Sequence, residues 1–545
     1  MKKQPTRAEV PDELKWDLTD LYADADAFRA ALALARQNVA ALADLMPTIT
    51  TSPAHLLKTV QAYYALNAQL GRLEVYTENA VSQDGTDALA QQLAAECEVV
   101  VTDFETRSAD FEPAIIALSE DDYATFFKEE PQLNKYARVL SKIRQRRGHV
   151  LDSTQEELLS ALAPTVDAFE DIQATLDDVD LSFGEIETPD GKQDLTWGLV
   201  SKLLLSDNRD LRRQARAQSD AAYVAHQNTF AKLLNAHVHT QNAVAKLRNY
   251  PSARAMNLAE GEIPEDVYDT LIEQTHKHLD LLHRYNALRK RVLGLEKMYS
   301  YDAFVPLPGG KVMTPSYSEA KAIALKALAP LGPDYLAHIQ DEFDHRWIDV
   351  VETKGKTSGG YHVAVPGVHS YILLNWDDTY DSLSTLVHES GHAMHATYAN
   401  EAQSTWNANY TIFTAEIAST TNESLLNAYM LKQTASDQPA QIQLLAESIE
   451  DMVGAFFSQV RFAEFEHFMY TTEAAGNALT PAVLTAKWQE LSRTYNGDAF
   501  TEVPWANAGW AAVPHFFYDY YVYQYATSKA AAIAFEKRIL SGDQA

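Results

Sequence analysis

A mostly α fold is what this sequence predicts, and three observations predict it. Long stretches are built from Ala, Leu, Gln, Lys and Glu, all good helix formers. Apolar residues recur at helical spacing: Leu56, Val60, Tyr63, Leu66, Leu70 and Leu73 step by three or four and share one stripe. Gly (21) and Pro (20) are scarce in 545 residues, so turns are few. The helical segments expected on these grounds are 26–45, 86–109, 155–178, 209–247, 264–293, 318–341, 438–470 and 514–538, with 56–76 as the clearest.

Two stretches break the helical habit. Leu181 to Lys192 alternates apolar and polar residues and ends in Pro189-Asp190-Gly191, which predicts a small hairpin. A domain boundary is expected there, dividing the chain into 1–190 and 191–545. The second break spans about 347–376. Trp347-Ile348-Asp349-Val350, Tyr361-His362-Val363-Ala364-Val365 and Tyr371-Ile372-Leu373-Leu374-Asn375-Trp376 are β-branched and aromatic runs, and Gly355, Gly359 and Gly360 separate the first from the second. A small sheet is therefore expected immediately before residue 380.

Composition narrows the function. With 46% apolar and 22% charged residues the chain has the balance of a globular protein able to bury its own core. A net charge of −30 argues against nucleic acid and against an anionic membrane surface, since both need clustered Lys and Arg. The lone cysteine, Cys97, cannot form an intramolecular disulfide and sits among acidic neighbours that disfavour a thiolate. A chain without an apolar leader, a long apolar run or a disulfide is expected to be cytoplasmic.

Chemistry concentrates at Thr385-Leu386-Val387-His388-Glu389-Ser390-Gly391-His392-Ala393-Met394-His395. His388 and His392, four apart on a helix, project from one face and can bind one metal ion, with Glu389 beside them. Two neutral imidazoles and a carboxylate suit zinc, one Zn2+ per chain, with a position left for water. Asp381 is expected to cap this helix, and Leu383, Leu386, Val387 and Met394 to bury it. His395 lies one turn beyond His392, too far along the axis to be a third ligand, and is expected behind the ligands or in packing. Gly391 is costly in a helix interior, and close approach of another backbone would explain it.

The third ligand is expected from Phe413 to Glu423. Glu416 follows His392 by 24 residues, enough for a turn near Asn407–Asn409 and an antiparallel second helix. Glu423, seven residues on, shares its face and would orient a histidine N–H. Hydrolysis also needs a donor for the oxyanion. The run from Pro514 to Tyr525 offers His515 and five tyrosines, of which one or two are expected to serve while the others pack.

These residues resemble the oligoendopeptidase F branch of the M3 zinc metallopeptidases, relatives of thimet oligopeptidase and neurolysin. Trp16-Asp17-Leu18-Thr19-Asp20-Leu21-Tyr22 is similar to the opening signature, and Arg248-Asn249-Tyr250-Pro251-Ser252 to an Arg-x-Tyr-x-Ser element. Lys356 to Tyr361, Ile372 to Asn375, His388 to His395 and Pro514-His515-Phe516 resemble later motifs, so the likeness covers nearly the whole chain. It implies a large two-lobed helical ellipsoid with a deep substrate channel and a small β-sheet next to the zinc helix. Residues 1–190 would form an N-terminal oligopeptidase F-type domain and 191–545 the catalytic domain. It implies His388, His392 and Glu416 as zinc ligands and Glu389 as general base. His515 and a tyrosine, Tyr518 or Tyr523, would hold substrate and oxyanion, Tyr521 would bind substrate, and Glu423 and His395 would stand behind the ligands. Gly359 and Gly360 would let an extended peptide approach the sheet edge. The implied activity is zinc-dependent hydrolysis of internal bonds in short unstructured oligopeptides by a monomer or small homo-oligomer. The alternatives are a helical zinc carboxypeptidase or dipeptidase, or a non-catalytic peptide-binding protein.

Overall fold

Helix dominates the computed structural model, which describes residues 5–310 and 313–542. Contacts divide the chain into two compact units, each assembled from separate stretches. The first is Met1–Gly148, Met313–Gln433 and Ala531–Ala545; the second is His149–Val312 and Thr434–Ala530. The expected division at 190/191 falls within the second unit.

In the first unit, α1 (Ala25–Leu45), α2 (Pro53–Gln83) and α3 (Ala88–Ser108) start on side-chain caps. Asp24 accepts from the Ala27 N–H, Ser52 from His55, and Asp87 from Leu89 and Ala90, satisfying N–H groups that a helix start leaves open. The α2 stripe is buried at Leu56, Val60, Leu66, Leu70 and Leu73, while Tyr63 stacks on Phe111 at 3.9 Å. Cys97 is buried on α3; burial, with Glu74, Glu98 and Glu78, pushes its thiol up to about 12.

The expected small sheet is present as β3 (Ile348–Val351), β4 (Tyr361–Val363) and β5 (Tyr371–Trp376). Its order is β3-β5-β4, with β3 parallel and β4 antiparallel to β5. Trp16, Leu21, Val75, Val365, Tyr371 and Leu373 form one buried cluster beneath it. Trp16 meets Tyr371 edge-on at 5.9 Å, and the Tyr371 hydroxyl donates to the Asp17 carbonyl. The opening segment is thus a floor for the sheet.

α4 (Tyr380–Ala402) follows β5 directly, and α5 (Ile412–Gln433) comes next. Leu383, Leu386, Val387 and Met394 are buried as expected. The cap is Thr379 rather than Asp381: the Thr379 hydroxyl accepts from the Ser382 N–H, and Asp377 accepts from Thr379 and Ser382. Asp381 lies in the first turn, where its charge still suits the positive helix end.

The second unit contains the long helix Arg209–Leu247 with its Asn208 cap, as the periodicity predicts. The hairpin pairs β1 (Glu185–Thr188) with β2 (Gly191–Asp194). Three expected helices are interrupted. The 264–293 run breaks at His278, and 438–470 passes through a π-helical stretch, Met452–Ser458. The C-terminal run is a short 3-10 turn, Pro514–Phe517, a bend with positive φ at Asp519 and Tyr520, and only then the helix Tyr523–Ser541. In the first unit, 318–341 breaks at Pro330-Leu331-Gly332-Pro333, with Gly332 at φ 97°.

Candidate metal centre

Helical spacing brings His388 and His392 to one face of α4, with their Nε2 atoms 3.1 Å apart. Glu416 Oε2 on α5 lies 3.5 Å from the first and 3.6 Å from the second. Tetrahedral zinc with bonds near 2.1 Å has ligand–ligand edges of roughly 3.4 Å. The triangle matches one face of such a tetrahedron, so these three donors fit the metal that the sequence implies. Among the described residues they are the only group of histidine, cysteine, aspartate and glutamate donors found in such proximity.

Each donor is held. His388 Nδ1 is 2.9 Å from Glu423 Oε1, so an N–H donated to that carboxylate leaves the Nε2 lone pair facing the triangle. The Ser419 hydroxyl donates to Glu416 Oε2 at 2.9 Å. The Asn422 side-chain amide donates to the Val387 carbonyl, tying α5 to α4, and accepts from the Tyr335 hydroxyl. Gly391 faces the crossing: a Cβ there would lie 2.7 Å from Ser419 Cα and 2.9 Å from the Ala418 carbonyl. The close approach expected from this glycine is real.

Glu389 is buried beside the triangle, and burial pushes its carboxyl up to about 7; His388 opposes the shift, while Glu416 and Glu423 add to it. At His388 burial disfavours charge, but the Glu423 hydrogen bond and the charges of Glu423, Glu389 and Glu416 win and push it up to about 9. Burial, with His388 and His362, drives His392 down to about 3. The field here favours a cation, while His392 stays a neutral donor.

The sheet supplies the other wall. His362 on β4 stacks on His392, with ring centroids 5.2 Å apart. Gly360 passes so near Glu389 that a Cβ would sit 3.6 Å from Oε1 and 2.7 Å from Thr385 Cγ2. Gly359 has φ +82°, a conformation open to glycine at no cost. Asn375 donates to the Thr357 and Gly359 carbonyls. Lys356, buried, donates to the Val351 and Leu374 carbonyls and pairs with Asp349 at 2.7 Å. His395 stacks on Tyr410 at 3.8 Å, and its charge is felt at His392.

The remaining predicted residues lie in the second unit. His515, Tyr518 and Tyr521 form one aromatic cluster, with the His515 ring 5.4 Å from Tyr518 and 6.4 Å from Tyr521. Tyr523 is buried, its ring 5.2 Å from Tyr268. The bend between them is fixed by the Tyr520 N–H donating to Glu466 Oε1 and by His237 and Tyr470 on Asp519 Oδ1. Sequence reasoning missed His362, Ser419, Asn422, Lys356 and Asn375 as parts of the site. All five stood inside segments singled out on other grounds, and none carried a local signal of its place at the site.

A helix-borne imidazole pair, a carboxylate from a crossing helix and a buried glutamate between them define a metallopeptidase-type site. The comparisons narrow the class. Residues 202–544 match Peptidase family M3 and residues 115–183 match Oligopeptidase F. Oligopeptidase PepF of Bacillus subtilis is 35% identical over 98% of this chain and 80% of its own length. A crystal structure from Chlamydophila abortus is 28% identical with a TM-score of 0.91, covering 99% of this chain and 91% of its own. Oligoendopeptidase-F from Enterococcus faecium is 34% identical with a TM-score of 0.71, covering 95% and 88%. The chain belongs to peptidase family M3, and it is a metallopeptidase that hydrolyses peptides. No helix among the described residues is long and apolar enough to cross a membrane.

Proposed function

We propose that this chain is a zinc-dependent oligoendopeptidase that cuts internal bonds of short unstructured peptides. The observation that carries the reading is the 3.1, 3.5 and 3.6 Å triangle of His388, His392 and Glu416 with Glu389 buried beside it. His388, His392 and Glu416 would hold one zinc ion. When bound, that ion supplies Lewis acidity towards the scissile carbonyl and the attacking water. Glu389 accepts the water's proton and delivers it to the leaving amine, and a carboxyl near 7 suits both directions at neutral pH. Glu423 keeps His388 in the right tautomer. An extended substrate adds to β4, the outer strand of the small sheet, and Gly359 and Gly360 let its backbone come close. His515 and Tyr518 donate to the developing oxyanion, and Tyr521 binds substrate.

The relatives named oligopeptidase and oligoendopeptidase F support the substrate class. The charge of −30 supports peptides over nucleic acid as partners. We place the enzyme in the cytoplasm as a monomer or small homo-oligomer, with 1–190 and 191–545 as its inherited sequence domains. Glu389→Gln tests the mechanism: zinc content should persist while turnover of a fluorogenic peptide falls by several orders of magnitude. Most of the activity surviving would refute it. Mass spectrometry of cleaved peptides, with and without chelator, should show internal cuts that the chelator abolishes.

A further inference from the structure

A cavity of about 410 Å3 lies entirely within the second unit, and none of the residues assigned above lines it. The π-helical turn Met452–Ser458 forms part of its wall; such turns are frequent at functional sites. Four arginines reach it. Arg216 lies 3.0 Å from Asp220, Arg493 lies 3.3 Å from Glu502, and Arg289 pairs with Glu450. Arg461 differs: among the described residues it has no hydrogen bond and no ion pair, and its Nε is sealed from solvent. Its guanidinium instead lies over Trp488 at 4.9 Å and Phe462 at 5.2 Å. Burial pushes its pKa down to about 10, with Arg216 acting in the same direction and Tyr495 against it, so the charge persists at neutral pH.

Other sealed donors gather at the same place. Arg289 Nε and Ser300 Oγ also line the cavity without a hydrogen-bond partner. Each of these atoms can donate, so what they lack is an acceptor. A half-buried cation without a counter-charge is unfavourable, and here the room for the counter-charge adjoins it. One guanidinium is unpaired, which calls for a single negative charge. Trp488 and Trp505 in the wall call for an apolar body, and the volume is in the range of small-molecule sites.

We propose that this cavity binds a small organic carboxylate, its head on Arg461 and its apolar body against Trp488 and Trp505. The site is separate from the metal centre, and the ligand is a monoanion of roughly aromatic amino-acid size.

The test uses the zinc-loaded enzyme and 3-phenylpropionate as probe, followed by calorimetry and tryptophan fluorescence. Saturable binding is expected below about 10 mM. The neutral 3-phenylpropanamide should bind at least tenfold more weakly. Chloride and phosphate, which carry no apolar body, should also bind more weakly. Arg461→Gln should weaken carboxylate binding roughly 10- to 100-fold, yet its ligand-free thermal stability should match or exceed the parent, because a half-buried charge without a counter-charge is gone. Arg461→Lys keeps the charge, loses the planar fork and should be intermediate. Equal binding of the amide, equal binding of chloride or phosphate, no saturable binding, or unchanged affinity in an Arg461 variant would each overturn the proposal. The last of these would place the carboxylate elsewhere on the enzyme.

Discussion

Gly391→Ala should weaken the metal centre without altering a ligand. The added Cβ would lie 2.7 Å from Ser419 Cα, 2.9 Å from the Ala418 carbonyl oxygen and 3.0 Å from Ser419 N, all backbone atoms that cannot swing aside. Carbon atoms pack best at about 3.5–4.0 Å, so α4 and α5 must part by about 1 Å here. Glu416 sits one turn before Ser419 and takes its carboxylate hydrogen bond from that residue, so it moves too. The 3.5 and 3.6 Å edges of the triangle would stretch well past those of a zinc tetrahedron. Metal affinity should fall about 10- to 100-fold, the usual size of a lost supporting contact. Stability has two opposing parts: alanine gains about 1 kcal/mol of helix propensity, and overpacking costs about 1–3 kcal/mol. The net change is a destabilisation of up to about 2 kcal/mol. Gly71→Ala is the control, since its Cβ would meet only Val365 Cγ2 at 3.9 Å. That variant should be neutral or stabilised by up to about 1 kcal/mol. Chelator competition measures zinc affinity and thermal unfolding measures stability. If both alanine variants hold zinc equally and melt alike, the crossing at Gly391 does not set the ligand geometry.

Glu342 is buried beneath α4, and burial pushes its carboxyl up to about 8. Between pH 4.5 and about 8 the unfolded chain releases a proton that the fold retains, so stability should fall as pH rises through that window. Glu342→Gln should therefore raise Tm near neutral pH, by the equivalent of on the order of 3 kcal/mol, and change little at pH 4; a pH series of melts that parallels the parent would contradict this. Lys356→Met should destabilise by about 3–5 kcal/mol, because it leaves Asp349 buried with one partner fewer and frees the loop before Gly359. Denaturant midpoints check it, and an unchanged midpoint would show that the pair is replaceable. Tyr518→Phe should lower kcat with little change in KM, whereas Tyr523→Phe, a change in a ring packed on Tyr268, should act on stability. The reverse pattern of kinetics would transfer the oxyanion role to Tyr523.

Legibility in the sequence followed the reach of the interaction. The helix Arg209–Leu247 was readable because its cap and periodicity are local. His388 and His392 were readable for the same reason, since spacing of four on a helix fixes a shared face. Glu416 and Glu423 needed one further step, an antiparallel return, and the turn before Ile412 supplies it. Gly391 announced a helix crossing through its own unfavourable propensity. His362 announced nothing: it reaches His392 only because β4 pairs with β5 in one register, with His362 opposite Ile372.

The C-terminal run shows why phase is harder to read than composition. A single helix from Pro514 would give His515, Tyr518, Tyr521 or Val522, and Tyr525 one face, and would turn Tyr523 away. The chain instead bends through Asp519 and Tyr520 with φ of 24° and 57°, costly for residues with side chains. Glu466, His237 and Tyr470 hold that bend from helices distant in sequence. None of them is encoded near residue 519, so no local pattern could have located it. The rings nevertheless sort much as the unbroken helix would sort them: His515, Tyr518, Tyr521 and Tyr525 share a cluster and Tyr523 is buried. The Tyr521 and Tyr525 hydroxyls come within 3.4 Å of each other across the start of the last helix. The bend therefore keeps these rings in one cluster although the helix is broken between them. The bend depends on Glu466, a buried carboxyl whose burial pushes it well above the usual range and whose Oε1 accepts the Tyr520 N–H. The residue that fixes the bend between His515 and Tyr525 is thus a carboxyl more than forty positions earlier in the chain.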